Sequence, residues 1–218
     1  MNIQENVRKI RAELDEINSS ARIVAATKTR TLDEIRQCME TGLCLAAGEN
    51  RVQELTAKYT PEFRWDFIGR LQTNKVKYVV GKAELIHGFD RIALAEALQK
   101  ECEKKNTRQK VLVEINTGEE ENKGGIFLGD LDRFLDETSA FDRIEVAGLM
   151  AVAPVFYSED MLKKAFSDTY EAFFRRKSDV FKELSMGMSG DYKIAAACGA
   201  TIIRPGTAIF GARSYQQL

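Results

Sequence analysis

Lys28 closes the stretch Arg22-Ile-Val-Ala-Ala-Thr-Lys28, in which Ile23 to Ala26 are all apolar. Such a run suits a strand buried on both faces. A lysine at the end of a buried strand can be desolvated. Its pKa then falls, and the neutral amine becomes a nucleophile towards carbonyls. The plain alternative is a lysine whose stem packs while its ammonium reaches water. Two later stretches combine small residues with hydrogen-bond donors: Gly187-Met-Ser189-Gly190 and Arg204-Pro-Gly206-Thr207. Backbone N–H groups in such loops, with the hydroxyls of Ser189 and Thr207, suit an anion and above all a phosphate. The plain alternative is that the glycines only permit tight turns. Asn50, in Gly48-Glu-Asn50, adds an amide after another apolar run.

The elements that would carry these residues alternate along the chain. Residues 2–18 place Ile3, Val7, Ile10, Leu14 and Ile17 on one helical face, expected to cover one end of the domain. Thr31 and Glu34 form a capping box ahead of a helix with Leu32, Ile35 and Met39 inward. Strands follow at 43–47, 65–69, 84–89, 110–115, 144–150, 183–187 and 200–203. Helices are expected from 51 through 59, after Lys75, after a cap at Asp90, from Asp130, from Ser158 to about 182, and from Asp191 to Cys198. The long one from Ser158 would bury Met161, Leu162, Ala165, Phe166, Phe173 and Phe174. Eight βα units without a low-complexity linker predict one domain over 1–218, a parallel (β/α)8 TIM barrel with an extra N-terminal helix. Lys28, Asn50, Gly69-Arg70, His87, Asn116, Met150, Ser189 and Arg204 would then converge at the C-terminal face of the strands.

The 218 residues carry a net charge of −1, which supplies no attraction for nucleic acid or an anionic membrane. No apolar run approaches the roughly 20 residues needed to span a bilayer. The N-terminus does not resemble a signal or transit peptide. Cys38, Cys44, Cys102 and Cys198 are scattered, so a disulfide framework or zinc site is not expected and a reducing cytoplasm fits. With His87 the one histidine, no multi-histidine metal centre is expected. No paired carboxylates stand at the strand ends, against glycosidase chemistry.

A lysine on the first strand and a phosphate cup on the last two are neighbours around a closed barrel. That pairing suits a phosphorylated aldehyde held as a Schiff base, with pyridoxal phosphate the obvious candidate. Here the chain resembles the pyridoxal phosphate homeostasis proteins, which look like the N-terminal barrel of alanine racemase. The resemblance runs nearly end to end. It is carried by Ala25-Ala-Thr-Lys28-Thr, Gly48-Glu-Asn-Arg-Val-Gln-Glu54, Phe67-Ile-Gly-Arg-Leu-Gln-Thr-Asn-Lys75, Leu184-Ser-Met-Gly-Met-Ser189 and Arg204-Pro-Gly-Thr-Ala-Ile-Phe-Gly211, among others. It implies that Lys28 carries the cofactor, Arg204 faces the pyridine nitrogen, Ser189, Gly206 and Thr207 hold the phosphate, and Asn50 lies close to the ring. Asp66, Arg70, Ala200 and Asn122-Lys123-Gly124 depart from the residues usual in that family.

Three functions remain open on these residues: a protein that holds and delivers pyridoxal phosphate, a pyridoxal phosphate enzyme such as an amino-acid racemase, and a cofactor-free Schiff-base aldolase. The third leaves Arg204 unexplained. Racemisation needs a proton donor on each face of the cofactor. Alanine racemases take one from a second-domain tyrosine, and this chain ends at Leu218. The carrier is therefore expected, monomeric and cytoplasmic, with pyridoxal phosphate-dependent apo-enzymes as candidate recipients. His87 is expected to be a hydrogen-bonded pocket or core residue, and Lys75 and Lys123 part of a basic rim.

Overall fold

The computed structural model describes residues 2–118, 124–154 and 157–212. Eight parallel strands close in chain order into a barrel. They are β1 (Arg22–Ala26), β2 (Cys44–Glu49), β3 (Trp65–Phe67), β4 (Leu85–Phe89), β5 (Gln109–Ile115), β6 (Ile144–Ala151), β7 (Glu183–Ser185) and β8 (Ile202–Ile203). Pairing of Arg22 with Ile202 and Ile23 with Ile203 closes the ring. The helices are α1 (Ile3–Ile17), α2 (Leu32–Met39), α3 (Val52–Lys58), α4 (Ile92–Lys104), α5 (Leu131–Thr138), α6 (Glu159–Phe174), α7 (Tyr192–Ala197) and α8 (Thr207–Phe210). No helix among the described residues is long and apolar enough to cross a membrane.

The period-2 alternation of the strands separates two interiors. Ile23, Ala25, Trp65, Phe67, Ile86, Val111, Val113 and Leu184 face outward and pack with helix residues such as Leu98, Phe166 and Phe173. Val24, Ala46, Leu85, Leu112, Met150 and Ile202 face the lumen. By the same alternation, Asp66, His87, Glu114, Ser185 and Arg204 also point into the lumen.

Several expectations are corrected. α1 does not cover an end of the barrel; it packs on the flank against α2, α7 and the four-residue α8. Asn6 Nδ2 donates to the carbonyl of Ile209, and Asn18 Nδ2 to those of Ala196 and Ala200. α1 thus occupies the place in the helical ring that α8 is too short to fill, and Ile17 at its end is exposed. The segment after Gln72 is a 3-10 helix over Thr73–Tyr78, although Val76, Val79 and Val80 are buried as expected. α6 stops at Phe174, and Met161 and Phe174 are exposed. The run Arg175-Arg-Lys-Ser-Asp179 has no apolar face to continue it. A turn replaces the helix, with the Phe181 N–H on Ser178 Oγ at 3.0 Å, and it returns Phe181 to the core. Asp90 does not cap α4; its carboxylate pairs with Arg91 and lies 3.8 Å from Arg70 Nε.

Candidate functional site at the C-terminal end of the barrel

A cavity of about 180 Å³ opens between the ends of β1, β7 and β8. Lys28, Ser189, Arg204, Gly206 and Thr207 line it together with Arg30 and Met188. Asn50 does not line it. A larger hollow of about 660 Å³, at the starts of β3 to β5, has none of these residues. The C-terminal end is the catalytic face of this architecture, and the smaller cavity, which gathers the expected residues there, is the candidate site.

β1 delivers Lys28, half-buried, one residue before a left-handed turn at Thr29 (φ 65°). Arg30 then turns back, donating from Nη2 to the carbonyl of Gly211 at 2.7 Å. On the opposite wall Gly187 takes φ 90°, and a Cβ there would come within 2.6 Å of the Ala195 Cβ. Only glycine permits that close turn, which brings Ser189 against the start of α8. Ser189 Oγ accepts from the N–H groups of Gly206 (2.9 Å) and Ala208 (3.1 Å). The two amides orient the Ser189 hydroxyl beside Thr207, and the hydrogens of the two hydroxyls suit an anion.

Arg204 is buried beneath this cup. It donates from Nη1 to Ser185 Oγ (2.5 Å) and from Nη2 to the Ala151 carbonyl (2.8 Å). Burial draws its pKa down to about 10, against the pull of Glu114 and Asp191, so it remains a cation at neutral pH. Ser185 Oγ lies 3.0 Å from His87 Nδ1, and His87 Nε2 lies 3.3 Å from Asp66 Oδ2. Arg64 Nε donates to Asp66 Oδ1 at 2.9 Å. The donors fix the order of this chain. A guanidinium cannot accept, so Ser185 accepts from Arg204 and gives its own hydrogen to Nδ1. His87 must then carry its proton on Nε2 and donate to Asp66. Burial pushes the His87 pKa down, and the neighbouring Asp66 opposes that fall only in part. The imidazole is a neutral strut behind Arg204.

Two buried oxygens near the barrel mouth have no hydrogen-bond partner among the described residues: Asn50 Oδ1 and Glu49 Oε2. Glu114, on the lumen face at the end of β5, has its pKa raised to about 7, first by burial and then by Asp90. Glu114 was not among the residues expected at the strand ends. The signal was present in Val-Leu-Val-Glu-Ile, where a lone acid occupies a lumen position of an apolar strand.

A family model, the alanine racemase N-terminal domain, matches residues 1–214. The pyridoxal phosphate homeostasis protein of Aquifex aeolicus is 39% identical, over 98% of this chain and 96% of its own. This chain belongs to the pyridoxal phosphate homeostasis protein family. PipY of Synechococcus elongatus, solved with pyridoxal phosphate bound, shares 30% identity and superposes with a TM-score of 0.84, over 96% of this chain and 100% of PipY. Its structure without the cofactor gives 0.87 at 31% identity, over the same shares of the two chains.

Within the family frame, the chain's own departures acquire positions. Asp66 anchors the far end of the His87 strut. The Arg70 side chain is largely exposed at the mouth. Ala200 is fully buried, so no side chain there reaches the cavity. Asn122 and Lys123 lie outside the described residues. Met186 is core and Met188 lines the cavity. Lys75 Nζ lies over the Tyr78 ring at 5.9 Å. Ser185 and the Ala208 amide were not singled out from sequence, because neither lies in a distinctive motif.

Proposed function

We propose that this protein binds pyridoxal phosphate, holds its aldehyde on Lys28 and takes part in the homeostasis of the cofactor by keeping and delivering it. The carrying observation is one cavity lined by an amine (Lys28), a hydroxyl-and-amide cup (Ser189, Gly206, Thr207) and a locked guanidinium (Arg204). That donor set fits the group. Hydroxyls and amides suit a phosphate dianion, and an amine suits an aldehyde. A donor-only guanidinium suits an unprotonated pyridine nitrogen. When bound, the cofactor supplies an electrophilic carbon and an electron-accepting ring.

Each residue then has a part. Ser189 turns its hydrogen towards the phosphate and shares the Gly206 and Ala208 amides with it. Thr207 adds a second hydroxyl at the start of α8. Arg204, far more basic than a pyridine, would keep its own proton and donate a hydrogen bond to the ring nitrogen without protonating it, so the ring would be a weak electron sink, which suits storage better than carbanion chemistry. The recipients we infer are apo-enzymes that use the same cofactor, since an amine can displace Lys28 from an aldehyde.

Glu114 favours a second reading, an amino-acid enzyme of the racemase kind. A carboxyl titrating near neutrality can exchange protons at working pH. One experiment addresses both. The purified protein is titrated with pyridoxal phosphate and with pyridoxal, then incubated with L-alanine and assayed for the D-isomer by chiral chromatography. The carrier predicts far tighter binding of the phosphorylated form, because charge-assisted hydrogen bonds are lost without it, and no turnover. Equal affinities contradict the phosphate cup. Turnover on the order of 1 s⁻¹, abolished in Lys28→Ala, selects the enzyme.

A further inference from the structure

Lys28 is flanked by Thr27, tied to Glu49 and Lys58, and Thr29, tied to Glu54, and these three charged side chains form one cluster. Thr27 is fully buried, and its Oγ1 donates to Glu49 Oε1 at 2.7 Å. The Thr29 N–H donates to Glu54 Oε2 at 2.7 Å. Between the two carboxylates stands Lys58, whose Nζ donates to Glu49 Oε1 (2.9 Å), Glu54 Oε2 (2.8 Å) and the Thr27 carbonyl (3.1 Å). The Lys58 side chain is only 15% exposed, Glu54 20% and Glu49 not at all. Three charges from the end of β2 and from α3 thus spend their hydrogen bonds on the backbone and hydroxyl either side of Lys28.

Thr29 needs such help. A β-branched residue at φ 65° is outside its ordinary range. Backbone of that kind persists only where the surroundings over-determine it. Lys28 lies in this turn itself, two residues past the end of β1 at Ala26, so the turn sets where the Lys28 stem leaves the backbone.

We infer that Lys58, bridging Glu49 and Glu54, is the positioning residue for Lys28, holding the Thr29 turn that aims the amine at the cavity. This rests on the proposed role of Lys28, but the ion cluster itself touches neither the cup nor Arg204. Burial pushes Glu54 up, yet the bonds from Lys58 and Thr29 more than offset this and hold it below the usual carboxylate range. Glu54 is therefore a charged acceptor when it holds the Thr29 amide.

The test separates aim from occupancy. Stopped-flow absorbance follows capture of pyridoxal phosphate by Lys28, while equilibrium titration follows pyridoxine 5′-phosphate, which has the phosphate and ring but no aldehyde. Misplacing a reacting group by about 1 Å can cost a rate on the order of 100-fold. We expect Lys58→Met to slow capture at least roughly tenfold, with affinity for pyridoxine 5′-phosphate unchanged within about twofold. Lys58→Arg should restore much of the rate. Adding Thr29→Gly to Lys58→Met should also restore it, because glycine adopts this turn unaided. Should Lys58→Met fail to fold, the more accessible Glu54→Ala is read in the same way. Without any cofactor, amide exchange at Thr29 should accelerate roughly tenfold or more in either variant. Wild-type capture rates in the variants, or equal losses of capture and pyridoxine 5′-phosphate binding, overturn the inference. If wild-type protein captures nothing on Lys28, the carrier reading falls, and unchanged Thr29 exchange overturns the positioning role.

Discussion

Two faces of the same strands meet very different surroundings. Val111 and Val113 point out from β5 into a shell of leucines, phenylalanines and valines contributed by the helices. Leu112 and Glu114, on the alternate positions, point into a lumen shared with Asp66, His87, Ser185 and Arg204. The shell is made of residues whose burial each stabilises by roughly 1.5–3 kcal/mol. The lumen is half apolar filler and half polar strut, and its charges gain little stability from being buried. The shell holds the barrel closed. The lumen spends part of that stability on holding Arg204 in one orientation under the cavity.

The comparison is broken most severely from the shell. Phe166 on α6 is fully buried among apolar neighbours. Phe166→Ala should destabilise by about 3–5 kcal/mol, the usual cost of an emptied aromatic site. Urea unfolding measures this, and the folded fraction should still bind pyridoxine 5′-phosphate as wild type does. A loss of binding larger than the loss of folded protein would mean that shell and lumen are not separable.

A smaller effect of opposite sign is expected in the lumen. Burial, with the charge of Asp90, raises the Glu114 pKa from the ordinary carboxylate range to about 7. Its raised pKa favours the folded state fully below pH of about 4.5, and that contribution is lost as pH rises through about 7. The full shift is worth up to about 3 kcal/mol, and solvent at this partly buried carboxyl reduces it to roughly 1–2 kcal/mol. Glu114→Gln should therefore stabilise the cofactor-free protein by about 1–2 kcal/mol at pH 8 and by almost nothing at pH 4. Destabilisation at pH 8 would show that the charge supports Arg204 more than its burial costs.

The same two faces explain what could be read from the residues alone. Period-2 strands and helical faces at 3.6 residues announce the shell, so the barrel and its eight strands were legible. The convergence of Lys28, Ser189, Arg204, Gly206 and Thr207 was legible because each follows within a few residues of a strand, and strand ends converge in a closed barrel. The His87 strut was not, since it joins residues as far apart as the 98 positions between His87 and Ser185. Alternation assigns a side chain to a face but does not say which residue it meets across the lumen. Nor does it show that Lys58 reaches back to the Lys28 turn, because an i,i+4 pair with Glu54 is an ordinary surface feature of helices. The end of α6 is not legible in the apolar spacing, because a turn, not a helix, carries Phe181 inward.

The central claim is that Lys28 is the amine that holds the cofactor, and covalent mapping tests it most directly. The protein is incubated with pyridoxal phosphate, reduced with borohydride, digested and analysed by mass spectrometry. The account predicts a pyridoxyl adduct on Lys28. In Lys28→Ala the adduct disappears while circular dichroism and affinity for pyridoxine 5′-phosphate show the barrel and cup intact. An adduct found mainly on another lysine, or undiminished total labelling in Lys28→Ala, would contradict it.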